Sequence, residues 1–189
     1  MRNSTRENGF TLFDLLITLA IAAIITTIGI PSFRTVLENQ RMTSATNELV
    51  MSLNLTKSEA IKRVKYVSIC KSADGATCGG VGSEWNDGWI VFVNATSANL
   101  GFVDVGDEVI RVFPALSTQT TLTASGTVQN FLSIRPSGTI GSAVANMTGT
   151  LTLCDERGAD SARGVVVQAS GQWRVSYDQA HDATLLTCP

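Results

Sequence analysis

The chain has 189 residues, 44% of them apolar, and its 14 Lys and Arg against 16 Asp and Glu give a formal net charge of −2. That length suits one domain of ordinary size with a real core, not two full ones. Charged residues make up 16% where about 25% is usual, and the near balance of signs excludes a polybasic nucleic-acid module, an acidic disordered tail and a collagen-like repeat.

The apolar residues concentrate near the amino terminus. Residues 10–30 form an apolar run whose one charge is Asp14. As a helix rising 1.5 Å per residue it spans about 31 Å, close to the hydrocarbon thickness of a bilayer. Ahead of it stands a polar leader, residues 1–9, with Arg2, Arg6 and Glu7, whose net positive charge favours retention on the cytoplasmic side. A removable secretory signal ends in a small-residue site, and Ile30-Pro31-Ser32-Phe33 is a poor one. A plain anchor has no need of Asp14, because a carboxylate in a membrane segment costs about 2.5–3.5 kcal/mol on insertion scales.

Gly9-Phe10-Thr11-Leu12-Phe13-Asp14-Leu15-Leu16-Ile17 resembles the class III signal of type IV pilins and type II secretion pseudopilins. The resemblance implies that a prepilin peptidase cuts after Gly9 and methylates the new amino-terminal Phe10. Glutamate is usual where this chain has Asp14, and Pro31 falls where pilins commonly carry a helix-bending proline. Cleavage exposes an α-amino group at the end of an apolar helix, and Asp14 is the only acid near enough to serve as its counter-ion, in the same chain or a neighbour. Such a pair sets helix register more than it adds stability.

After Pro31 the residues Met42, Ala45, Leu49, Leu53, Thr56, Ala60 and Val64 recur at spacings of three and four, one face of an amphipathic helix. The spacing predicts one helix over about 10–65, bent near Pro31, its second half (31–65) packed on a β-rich head (66–189). Lys57, Lys62, Arg63 and Lys65 gather near its end, where cations complement the helix dipole; the competing reading is a DNA- or lipid-contacting patch.

From residue 66 the period is that of strands. Candidates are 67–69, 88–93 (an apolar run suited to burial on both faces), 108–113, 120–124, 131–135, 150–154, 164–168 and 171–177. Turn chemistry lies at 72–75, 105–107, 136–138 and 169–171. The fold class is α+β, a long amino-terminal helix on an antiparallel β-sandwich or roll. Trp85-Asn86-Asp87-Gly88-Trp89-Ile90-Val91-Phe92, Arg135-Pro136-Ser137-Gly138, Leu151-Thr152-Leu153-Cys154-Asp155 and Ser170-Gly171-Gln172-Trp173-Arg174 are similar to segments of the GspH/FimT family of minor pilins, over nearly the whole chain. That resemblance implies two antiparallel sheets in the head and a place near the tip or initiation complex of a filament. Trp85 and Trp89 also read as core residues in their own right.

Four cysteines follow the apolar run, and a head facing an oxidising periplasm is expected to form two disulfides. Three pairings are open. Proximity favours Cys70–Cys78 and Cys154–Cys188, whose loops contribute about 2.5 and 4 kcal/mol on chain-entropy scaling. A zinc site is the weaker alternative, because no Cys-x-x-Cys pair is present and His181 stands alone.

No enzyme and no cofactor are expected. The sequence lacks a nucleophile elbow and a phosphate loop, Gly79-Gly80-Val81-Gly82 opens no helix, and Asp155-Glu156 reads as a solvated turn. Three functions remain: a minor type IV pilin that helps initiate assembly, with other minor pilins, the major pilin, the prepilin peptidase and the inner membrane as partners; a DNA-binding minor pilin; and a minor pseudopilin of type II secretion. The pilus system, with subunits of the FimU type, is preferred. DNA-binding members of the family carry Gly-Arg-x-Arg, where this chain has Gly171-Gln172-Trp173-Arg174. Arg163 and Arg174 are the candidate DNA contacts, but residues 154–189 hold three arginines against five acids, a poor balance for phosphate neutralisation.

Overall fold

The computed structural model describes residues 10–79, 84–142, 145–177 and 186–188. Helix α1 (Leu12–Arg63) is continuous through position 31. Among the described residues eight strands follow: β1 (Val67–Lys71), β2 (Trp89–Val93), β3 (Glu108–Phe113), β4 (Thr120–Ala124), β5 (Phe131–Ile134), β6 (Gly149–Asp155), β7 (Arg163–Val167) and β8 (Trp173–Ser176). They form two four-stranded sheets, ordered β3-β2-β1-β5 and β4-β6-β7-β8, with every pairing antiparallel. The chain divides into two compact units, one ending at Gln40 and the other beginning at Arg41.

In the first unit the helix is held by its own backbone bonds, and Leu12, Phe13, Leu15, Leu16, Ile24, Ile25, Ile30 and Phe33 are all exposed. Thr18, Thr26 and Thr27 turn their hydroxyls back to carbonyls one turn earlier, at 2.9–3.0 Å. The helix therefore presents few free polar groups to whatever surrounds it.

In the second unit the period-3.6 face of α1 does what its spacing predicts, burying Met42, Ala45, Leu49, Leu53, Thr56 and Ala60. The apolar ones share one core with Val67 and Ile69 of β1, Trp89, Val91 and Val93 of β2, and Leu122, Leu151, Leu153, Val165 and Val167 of the second sheet. Strand β2 is buried at every position. Its outward side chains Ile90 and Phe92 join Cys70 in a second cluster on the far face of the first sheet.

Val64 departs from the expected face. The helix ends at Arg63, and Val64 takes φ 52°, so that the Lys65 N–H reaches back to the Ala60 carbonyl at 3.3 Å. That left-handed turn caps the helix and swings the valine out, leaving it 73% exposed.

Two glycine turns lock the second unit at one point. The Arg135 N–H bonds the Thr139 carbonyl and the Gln168 N–H bonds the Gln172 carbonyl, both at 2.9 Å, closing tight loops on Gly138 and Gly171. These loops pack backbone to backbone, so a Cβ on Gly171 would lie 1.9 Å from the Gly138 carbonyl oxygen.

Candidate functional site

Gly9 lies outside the described residues, and so does His181. Phe10 is described and exposed. One turn on, Thr11 and Asp14 bond reciprocally. The Asp14 carboxylate accepts from the Thr11 backbone N–H at 3.1 Å and its hydroxyl at 2.7 Å, and the Asp14 N–H reaches the Thr11 hydroxyl at 3.2 Å. This is a capping box, in which acid and threonine satisfy donors that the first turn of a helix leaves open. Thr11 is a partner the sequence reading missed. The signal was present in the Thr-x-x-Asp spacing, overshadowed by the expected counter-ion role. The arrangement keeps Asp14 at the very end of the apolar helix, beside the position where cleavage after Gly9 would place an amino group.

The head carries two disulfides, Cys70–Cys78 and Cys154–Cys188. The first closes a loop built around Asp74. Its carboxylate accepts from the Thr77 hydroxyl (2.6 Å) and backbone N–H (2.8 Å), the Ala76 N–H (2.9 Å) and the Ser72 hydroxyl (3.0 Å). Those donors hold the Asp74 pKa far below the usual carboxylate range. The second disulfide brings Cys188 against the outer face of β6, where Cys154, Ala162 and Leu186 cluster and Leu186 fills the space over Gly164. Among the described residues no group of three or more metal-binding side chains occurs.

The basic residues are dispersed. Lys57 bonds the Gly171 carbonyl at 2.6 Å and sits 5.4 Å from the centre of the Trp173 ring, clamping α1 to the second sheet. Arg63 pairs with Glu59 at 2.6 Å and with Glu108 at 2.5 Å, and these bonds, Glu108 first, raise its pKa. Lys62 lies 3.6 Å from Glu59. The end of the helix is thus tied down by acids and a carbonyl. Arg163 shares the inward parity of Val165 and Val167; it donates to the Thr43 hydroxyl at 2.7 Å and lies over Tyr177. Arg174, opposite Val166 and between the inward Trp173 and Val175, falls on the other face of the same sheet. The sheet does not bring the two arginines together.

Asp155 corrects the expected solvated turn. Its side chain is only 7% exposed and is held by the Arg157 guanidinium at 2.5 Å. Burial opposes its ionisation, but the bonds from the Arg157 side chain and backbone outweigh that and lower its pKa. Trp85 and Trp89 are both buried, and the Trp85 indole donates to the Gln129 carbonyl at 2.8 Å. Arg135 is the other residue missed as a structural element. Its guanidinium gathers the carbonyls of Ser142 and Ala145 and the Asn146 side chain at 2.9–3.1 Å.

A helix with an exposed apolar half, its other half fused into a head of two antiparallel sheets, defines the pilin architecture. The family model described as "Type II transport protein GspH" matches residues 45–171, more than half of the chain, and the chain belongs to that family of structural pilins. Its fold is similar to two crystal structures of the type IV minor pilin FimU of Pseudomonas aeruginosa. One is 19% identical, with a TM-score of 0.55, and the match covers 74% of this chain and 90% of that one. The other is 20% identical at a TM-score of 0.51, covering 71% and 92%. At such identities the likeness is one of fold. No curated protein matches the chain.

Proposed function

We propose that the chain is a minor type IV pilin, made as a membrane-anchored precursor, cut between Gly9 and Phe10, methylated at Phe10, and built into a filament at or near its tip, where it helps to start assembly. One observation carries the reading. Among the described residues one helix presents an exposed apolar surface long enough to cross a bilayer, with Asp14, the one acid of residues 10–30, at the end where processing would free an amino group. Such a surface needs first lipid and then the helices of neighbouring subunits to cover it. Asp14 would fix the register between those helices, and a bend at Pro31 would ease their packing.

The test is Asp14→Ala in the full-length chain. Expression, membrane insertion and the mass of the processed subunit should stay as in the wild type, while recovery in sheared filaments is lost. Normal recovery counts against the proposal, as does mature protein that retains Met1 or is cut beyond the apolar run.

A second reading, a minor pseudopilin of type II secretion, is favoured by the description of the matching family. Neighbouring genes separate the two, since pilus genes support the first and secretion genes the second. The DNA-binding reading is not carried forward. Its candidate contacts are Arg163, Arg174 and the basic residues of 57–65; Arg163 engages Thr43 and Tyr177 on the inner face, Arg174 falls on the other face, and Lys57 and Lys62 lie against the Gly171 carbonyl and Glu59.

A further inference from the structure

Between β2 and β3 the chain makes a long loop, 94–107, whose apolar residues are sorted into two sets. Leu100 is buried and Val103 packs against the cluster of Cys70, Ile90 and Phe92. Phe102 and Val105, two residues beyond Leu100 and Val103 respectively, are 64% and 103% exposed. The loop is held by hydrogen bonds that do not use their side chains. The two carboxylate oxygens of Asp107 take the Ala95 N–H at 2.7 Å and the Asp104 N–H at 2.9 Å. The Asn99 side chain donates to Asp104 at 2.9 Å, and backbone bonds run from Phe102 to Asn99 and from Asp107 to Asp104. Gly101 lets the chain press against the Phe131 ring, where a Cβ would sit 2.7 Å away. An aromatic and a β-branched residue stand outward on a hydrogen-bonded loop, in a turn where polar residues are the norm, and neither belongs to an apolar cluster of the head. They have the form of interface anchors.

The charge around them identifies the partner. Residues 94–107 contain two acids and no Lys or Arg. Both acids accept from neutral donors, and the loop has no Lys or Arg to offset them. Such a rim repels nucleic acid and anionic lipid headgroups and favours a protein surface edged with cations.

We propose that the 94–107 loop is a head-to-head docking element, its Phe102 and Val105 inserting into an apolar hollow rimmed by Lys or Arg on the head of a neighbouring pilin-type subunit. The proposal rests on the pilin reading and adds to it a contact made by the head and independent of the helix. The experiment places a photo-reactive amino acid at position 105 of the full-length chain in its own host. Illumination should give one crosslinked species, in which mass spectrometry identifies a head peptide of a second pilin-type subunit. Phe102→Ser should lower the yield about tenfold, the loss of one interface anchor, with both disulfides still formed as a check on folding. Asp104→Asn keeps an acceptor for Asn99 while removing the charge, and should weaken the dependence of the yield on salt. Adducts with lipid alone, no adduct, or a yield unmoved by Phe102→Ser each overturn the proposal. A subunit that enters filaments in an Asp14-dependent way without the crosslink overturns the docking role and leaves the assembly reading standing.

Discussion

Gly171→Ala is the sharpest test of how the head is held together. Gly171 has φ +82°, and a Cβ there would meet the Gly138 oxygen at 1.9 Å, the Gly138 carbonyl carbon at 2.9 Å and the Thr139 Cα at 3.3 Å. All are backbone atoms, so no side chain can swing aside, and the two turns must separate. Left-handed strain on an alanine costs about 1–2 kcal/mol, partly offset by the lower entropy of the unfolded chain. Separation also breaks the bond from Lys57 to the Gly171 carbonyl, a charged bond of about 1.5–3 kcal/mol. The net is about 2–4 kcal/mol, a large share of the ~5–15 kcal/mol that holds a domain. At about 2–4 °C per kcal/mol for a chain of this size, Tm should fall by about 4–16 °C. Gly158→Ala is the control. Gly158 has φ +77° and no atom within 4 Å of its Cβ position, so it reports strain alone, about 1 kcal/mol. Thermal unfolding of the purified chain in detergent, disulfides intact, reads both. Equal shifts, or a fall of under about 2 °C for Gly171→Ala, would refute the packing of the two turns.

The remaining predictions concern the cap, the acids and the disulfides. Val64→Gly removes a β-branched residue from φ 52° and should raise stability by about 0.5–1 kcal/mol after the entropy of glycine is counted, read as a higher Tm. Asp155 and Asp74 both have pKa values lowered in the fold. Their contribution is therefore complete above the unfolded value of about 3.9 and is lost as pH falls toward the folded values. Acid unfolding followed by circular dichroism should be shallower below about pH 4 in Asp155→Asn and Asp74→Asn, with no change in slope near neutrality. Replacing Cys154 and Cys188 by serine frees a loop of sequence separation 34 and replacing Cys70 and Cys78 one of 8, so the first pair should cost about 1 kcal/mol more.

What the sequence made legible followed from local rules. The three-and-four spacing from Met42 to Ala60 is a property of one helix, and the buried face matches it residue by residue. The strand bounds at 108–113 and 120–124 are as expected, and the bounds that differ elsewhere do so by one or two residues. Val64 extends the same spacing yet turns outward, because its position depends on a left-handed cap that no periodicity encodes. Lys57 was read with the cations at the end of the helix. Its carbonyl and ring partners lie 114 residues and more along the chain, beyond the reach of a local rule.

The two arginines show where such reasoning stops. Alternation along a strand is visible in sequence, so Arg163 could be assigned to the face of Val165 and Val167 by counting. Whether Arg174 joins it depends on the register between β7 and β8, which pairs Arg174 with Val166. A slip of one residue would move Arg174 to the inner face beside Arg163 and send Trp173 outward. Lys57 bears on that choice, since it holds the Gly171 carbonyl two residues before β8 and rests over Trp173, so that the ring stays inside. The residue first counted with the helix-end cations thus helps fix the face on which Arg174 stands, and the clamp that binds helix to sheet also keeps the two arginines apart.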